Sequence, residues 1–126
     1  MELIALDPDM GLLLLRLGLA LIFFVHGPMK LWHSQEMGKG MGLPSALIFL
    51  VGLMESSSAL AMLVGSYTQF AAFMLIAVML GAIYMKTQQW GKKFTGDGGY
   101  EFDTIILLAA FTIMLAGPGG FAYPVG

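Results

Sequence analysis

The residue best placed for chemistry in this sequence is Glu55, a lone acid in a long apolar stretch. It is the single formal charge among the 46 residues between Lys39 and Lys86. Counted from Pro44 on one side and Gly65 on the other, it would lie about 16 Å inside a helix, near the middle of a bilayer core about 30 Å thick. A carboxylate at that depth is costly unless it is paired, protonated or in contact with water, so Glu55 is a functional candidate.

Arg16 is a candidate partner for that carboxylate. It would lie about 15–20 Å from the end of its apolar run nearest the first loop, at a depth similar to that of Glu55. The planar guanidinium matches a carboxylate, and such pairing is a common way to hold two charges in an apolar environment. The sequence therefore predicts a buried Arg16–Glu55 ion pair, with snorkelling of Arg16 to the interface as the alternative.

A second group of polar residues closes the first apolar run and opens the last: His26 and Lys30, then Tyr100 and Glu101. Two interpretations stay open. In the first, Lys30 and Tyr100 anchor the protein at the interface and Glu101 suits the start of a helix. In the second, all four form a ligand pocket at the membrane surface, where His26 can move a proton near neutral pH. A quinone head group needs such a site, with hydrogen-bond partners for two carbonyls.

Several kinds of chemistry find no support in the sequence. The absence of Cys excludes disulfides, thiolate catalysis, iron–sulfur clusters and Cys-ligated zinc. Met37 and Met41 are spaced for one helix face, but Gly38 and Gly40 argue against an ordered helix there, so copper binding is not predicted. We expect no metal site, no intrinsic cofactor and no catalytic residue, and no basic patch supports nucleic-acid binding.

The elements that must position these residues are membrane spans. The chain has 126 residues, of which 58% are hydrophobic and 11% charged, against about 25% charged in soluble domains. Its apolar runs cover residues 10–29, 44–65, 68–86 and 102–117. They predict an all-α integral membrane protein with a single domain over residues 1–126. The expected architecture is a four-helix antiparallel bundle, with both termini on one side and two loops, about 30–43 and 86–101, on the other.

The lysines predict the orientation of this bundle. The two loops hold Lys30, Lys39, Lys86, Lys92 and Lys93, whereas the opposite side holds no Lys or Arg. The positive-inside rule places the loops in the cytoplasm and both termini outside. The first nine residues contain three acids and no basic residue, so a signal peptide is not predicted.

An ordered set of short motifs resembles the DoxX family of small bacterial membrane proteins. The resemblance starts in the segment RLGLALIFFVHG (16–27) and resumes at Lys30-Leu31. It then covers Gly42-Leu43-Pro44, Gly52 with Glu55, Leu63-Val64-Gly65, Gly98-Gly99-Tyr100-Glu101 and Gly117-Pro118-Gly119. By this resemblance Arg16, Glu55 and Glu101 match charged positions of the family, and His26 matches its His-Gly element. The last residues, 121–126, lack the acidic tail often seen in the family.

The resemblance implies a four-helix plasma-membrane protein associated with respiratory or sulfur-oxidising oxidoreductases, including a thiosulfate:quinone oxidoreductase. Our leading hypothesis is a non-catalytic membrane subunit that anchors a redox protein partner and provides a quinone pocket. The alternatives are a small carrier or permeation protein that uses Glu55 as a protonatable site, and a structural assembly factor. The expected partners are the lipid bilayer and a redox protein, and the sequence is also compatible with a homo-oligomer.

Overall fold

The computed structural model describes residues 6–123, and every regular element in this range is helical. The helices are α1 (Pro8–Trp32), α2 (Ser34–Met41), α3 (Ser45–Val64), α4 (Thr68–Tyr84) and α5 (Glu101–Ala116), and a π-helical segment, Met85–Gln89, follows α4 directly. The predicted all-α class is confirmed. Two expectations concern the ends of the chain: no signal peptide at the start and no acidic tail at the end. Both segments lie partly outside the described residues.

Three helical stretches are long and apolar enough to cross a membrane: Pro8–Trp32, Ser45–Val64 and Thr68–Gln89. The fourth apolar run forms α5, whose 16 residues extend about 24 Å. Large apolar side chains face outward from all of these helices, among them Leu21, Phe70 and Leu115, which are 70%, 65% and 79% exposed. Such a surface is typical of a protein that lipid surrounds, since soluble monomers rarely expose large apolar patches.

The prediction of a loop without a helix is wrong over residues 34–41, where the structure forms α2. Gly38 was expected to prevent a helix there, but it is buried, and a Cβ at this position would lie 2.7 Å from the Leu43 carbonyl oxygen. The Leu43 amide donates to the Gly38 carbonyl at 2.9 Å, and Gly42 ends the helix with φ +72°. The low helix propensity of glycine is therefore outweighed by a close return of the chain that only glycine permits.

Helices α1 and α3 approach each other backbone to backbone where Gly27 meets Gly52. A Cβ at Gly27 would lie 2.7 Å from the Ser56 amide nitrogen, and one at Gly52 would lie 2.9 Å from the Gly27 carbonyl oxygen. Neither position tolerates a side chain without displacing backbone. Small residues at a helix crossing are a common device of membrane proteins, because helix association in lipid depends on close packing.

The buried core is built from α1, α3, α4 and α5. Its largest fully buried apolar side chains are Phe23, Met62, Leu75 and Ile113, each from a different helix. This core holds the four helices together on one side of the Gly27–Gly52 crossing. On the other side, towards the end of α1 and the start of α5, a few charged side chains lie among the apolar ones.

Candidate functional site

A cavity of about 600 Å³ lies between α1, α3, α4, the π-helical segment and α5. We call it the head cavity. Its charged and His lining residues are His26, Lys30, Glu55, Lys86 and Asp103, and the rest of the lining is aliphatic, Met, aromatic or glycine. A large apolar space with a few polar groups on its wall is the usual form of a small-molecule site.

Lys30 and Glu55 form the first ion pair of the head cavity. The Lys30 Nζ lies 2.9 Å from Oε1 and 3.1 Å from Oε2 of Glu55, so both carboxylate oxygens face the ammonium. The Glu55 side chain is 1% exposed and that of Lys30 is 17% exposed. The glycine crossing makes this contact possible, because a Cβ at Gly52 would already lie 3.0 Å from the Lys30 Cβ. The depth of Glu55 is thus compensated by a buried partner.

Lys86 and Asp103 form the second ion pair, with 2.6 Å between Nζ and Oδ2. Asp103 lies in the first turn of α5, where a carboxylate also stabilises the helix dipole. Lys86 belongs to the π-helical segment, whose wider turn is marked by the bond from the Trp90 amide to the Met85 carbonyl, 2.9 Å. Short π-helical turns are frequent at functional sites because they rotate side chains away from the regular helix positions.

The predicted Arg16–Glu55 pair is not formed. The Arg16 Nε donates to the Met62 carbonyl at 2.9 Å, and Nη1 donates to the carbonyls of Pro118 and Phe121 at 2.8 Å each. A longer contact, 3.5 Å, joins Nη2 to the Leu63 carbonyl. Snorkelling does not describe this residue either, because Arg16 is only 1% exposed.

The predicted partner of Arg16 is wrong because α1 ends later than the sequence predicts. Because α1 continues to Trp32, Arg16 lies about 24 Å from that end, whereas Glu55 lies about 15 Å from the adjacent end of α3. Arg16 therefore meets the last turn of α3, seven residues beyond Glu55, where helix carbonyls lack intrahelical donors. Its role in the structure is to join α1, the end of α3 and the segment after α5.

The four predicted pocket residues divide into two groups. His26 and Lys30 line the head cavity. Tyr100 and Glu101 do not: the Tyr100 ring packs edge-on against Phe94, with 5.2 Å between ring centroids, and Glu101 is exposed. The head cavity thus includes the end of α1 and a different acid of α5, Asp103.

Asp103 was not among the residues predicted for the pocket, and Lys86 was used only as a loop lysine that indicates the orientation. A signal for Asp103 was present, because it shares a buried stripe with Ile106, Ala110 and Ile113 at helical spacing. Glu101, two residues earlier, lies about 200° around the helix from Asp103 and so faces away from this stripe. Helical periodicity therefore distinguishes the two acids of the first turn.

The arrangement offers two ammonium donors and two carboxylates to one apolar space. The ammonium groups can donate hydrogen bonds to carbonyl oxygens of a bound molecule, and the carboxylates or His26 can exchange protons with it. In residues 6–123 no three His, Cys, Asp or Glu side chains lie together as metal ligands would.

The sequence profile of the DoxX family matches residues 11–88, which is more than half of the chain. The chain belongs to the DoxX family. It is also 29% identical over 112 residues to the Bacillus subtilis (strain 168) protein named "Putative oxidoreductase CatD", with 86% of this chain and 81% of that protein covered. No solved structure gives a significant match.

Membership of the DoxX family, together with three apolar helices of spanning length, identifies a membrane protein. The part matched by the DoxX profile extends from α1 into the π-helical segment and contains Lys30, Glu55 and Lys86. Asp103 lies beyond it, so the second ion pair joins the matched part of the chain to α5.

Proposed function

We propose that this protein is a non-catalytic membrane subunit of a quinone-linked oxidoreductase, and that the head cavity binds the quinone head group. The observation that carries the proposal is the presence of two Lys–carboxylate pairs on the wall of one otherwise apolar cavity. The volume of about 600 Å³ lies within the range of about 300–1,000 Å³ that is usual for small-molecule sites. The name of the Bacillus subtilis relative supports the oxidoreductase class.

The chemistry of a quinone fits these groups. Its two carbonyl oxygens are acceptors for the Lys30 and Lys86 ammonium groups, and its apolar ring suits the aliphatic walls. Reduction adds two electrons and two protons, one proton to each oxygen, so a site with carboxylates and His26 nearby can deliver the protons. In this proposal a redox protein partner supplies the electrons, and an oxidoreductase acting on sulfur compounds such as thiosulfate is the partner that the family resemblance favours.

The contacts of Glu55 favour this role over that of a carrier. A carrier that uses Glu55 as its exchange site must release the carboxylate in each cycle. Here both carboxylate oxygens lie within 3.1 Å of the Lys30 ammonium, and the side chain is almost fully buried. Such a pair suits a fixed binding wall better than a site that repeatedly loads and unloads an ion.

The proposal includes a four-helix antiparallel bundle of α1, α3, α4 and α5 in the bacterial plasma membrane, with both termini outside. In support, Arg16 in the first half of α1 contacts the end of α3 at Met62, while Lys30 near the end of α1 contacts the middle of α3 at Glu55. The distribution of lysines supports the orientation.

Fusion reporters test the orientation. Alkaline phosphatase, which is active only outside the cytoplasm, is expected to be active when fused after Gly126 and inactive when fused after Gly96, in the loop before α5. Green fluorescent protein at the same two positions serves as the control, because it fluoresces only in the cytoplasm and should give the opposite result. Phosphatase activity at Gly96 with fluorescence at Gly126 would show the reverse orientation.

Fluorescence of Trp90 measures ligand binding directly, because this residue lines the head cavity. The chain has two Trp residues, and Trp32 is 84% exposed outside the cavity, so the Trp32→Phe variant leaves Trp90 as the single reporter. We expect a tail-less ubiquinone head group or menadione to quench this fluorescence saturably in purified protein.

Gly81→Phe is the decisive variant. Gly81 lines the head cavity, and an added Cβ meets no atom within 4 Å, so a phenyl group can occupy the cavity without displacing backbone. We expect quinone binding to weaken by more than about tenfold, which is about 1.4 kcal/mol. Gly11→Phe is the matched control, since Gly11 is also open to an added Cβ but does not line the cavity. Equal quenching in Gly81→Phe and the control would contradict the proposal.

A further inference from the structure

A second, smaller hollow of about 190 Å³ lies between α1 and α5, and we call it the α1–α5 groove. Three of its lining residues, Ile22, Phe102 and Ile106, also line the head cavity, so the two spaces share one wall. The lining of the groove is entirely apolar or glycine. The groove therefore continues the head cavity away from its ion pairs, along the seam between the first and last helices.

This seam is the loosest among the helices that surround the head cavity. Helices α1 and α3 are in close backbone contact at Gly27 and Gly52, and α4 packs extensively on α5, whereas α1 and α5 make few contacts. Gly18 lines the groove, and an added Cβ there meets no atom within 4 Å. At the rim, Leu14 and Ile105 are 62% and 61% exposed, so the groove opens on the surface that faces lipid.

We infer that the α1–α5 groove receives the isoprenoid tail of a membrane quinone whose head group occupies the head cavity. The inference rests on the proposed function and makes it more specific: the ligand is a prenylated, lipid-dissolved quinone that enters from the side. A tail bonded to the head group must leave the protein somewhere. The groove is an apolar path that adjoins the cavity, and it lies at the seam where α1 and α5 make few contacts.

The arrangement is best tested by filling the groove, because a filled groove sterically excludes the tail. A tail that moves from lipid into the groove gains little, since lipid chains are as apolar as the groove wall. The wild-type protein is therefore expected to bind tailed and tail-less quinones through the same head-group contacts. When the groove is filled, only the tailed ligand should be excluded, because its tail then has no path beside the head group.

The test uses Gly18→Phe in the Trp32→Phe background, with Trp90 quenching as the measurement. The ligands are used in two pairs, each with one tail-less and one tailed member. The first pair is menadione and tetraprenyl menaquinone, and the second is the tail-less ubiquinone head group and tetraprenyl ubiquinone. Gly18→Phe is expected to weaken binding of the tailed quinone by more than about tenfold and to leave the tail-less quinone unchanged. Gly18→Ala, which adds one methyl group, and Gly11→Phe, which lies outside the groove, are the controls and should behave as the parent.

The outcomes separate the inference from the proposed function. If Gly18→Phe binds both ligands as the parent does, the groove does not hold the tail, while the head cavity stands. If the parent protein binds no tail-less quinone, the proposed function fails and the inference falls with it. Should Gly18→Phe not fold, Ala109→Leu fills the groove from the facing helix, and the same selective loss of the tailed ligand is required of it.

Discussion

Replacing Arg16 by Met is expected to lower the free energy of unfolding by about 3–5 kcal/mol. The guanidinium donates to three carbonyls within 3 Å, those of Met62, Pro118 and Phe121. Met fills a similar volume but leaves these carbonyls without a donor. Hydrogen bonds to a charged donor contribute more than neutral ones, and unsatisfied buried carbonyls add their own cost.

Arg16→Lys is the control for this prediction. It retains the positive charge but presents a single ammonium, which cannot reach carbonyls on both sides as the planar fork does. We expect it to lose about half as much stability as Arg16→Met. Thermal or denaturant unfolding in detergent, followed by circular dichroism, measures both variants. Wild-type stability of Arg16→Met would mean that the carbonyls find other donors and that the Arg16 contacts are dispensable.

The Lys30–Glu55 pair is expected to give the strongest pairwise coupling. Lys30→Met leaves a buried carboxylate without a partner, and Glu55→Gln leaves a partly buried ammonium, so each single change should cost about 3–5 kcal/mol of unfolding free energy. The double variant removes both charges and should cost less than the sum by about 1–3 kcal/mol. The same unfolding measurement gives all four corners of the cycle.

The matched control for this cycle pairs Glu55→Gln with Arg16→Met. Arg16 contacts Met62, which lies about 10 Å further along α3 than Glu55. The two changes are therefore expected to add to within about 0.5 kcal/mol. Coupling between Arg16 and Glu55 together with additivity between Lys30 and Glu55 would restore the pairing predicted from the sequence and contradict the structure.

The contrast between these two cycles shows what the sequence can and cannot predict here. Long apolar runs indicate helices because only regular hydrogen bonding satisfies the backbone in lipid, and each run does contain a helix. Which side chains meet across two helices depends on their relative axial position. The pairing of Arg16 with Glu55 assumed that α1 ends at residue 29. Because α1 continues to Trp32, Arg16 lies several Å further from the end of its helix than expected.

Other features of the site differ in whether a residue pattern in the sequence can predict them. The acceptors of Arg16 are backbone carbonyls, which every residue type carries, so no residue pattern marks them. The π-helical turn that contains Lys86 has no such pattern either. Asp103, in contrast, could have been found, because its spacing from Ile106 and Ala110 places it on the buried face of α5.

The contacts of Arg16 also determine the order in which the protein can be completed. Its Pro118 and Phe121 acceptors lie 102 and 105 residues later in the chain. At a synthesis rate of about 5–20 residues per second, the cation enters the membrane about 5–20 s before they leave the ribosome. Until then Arg16 has only the Met62 and Leu63 carbonyls of α3 as acceptors, so part of the cost of its charge in lipid is not yet compensated. We therefore expect complete docking of α1 only after the segment that follows α5 has been made.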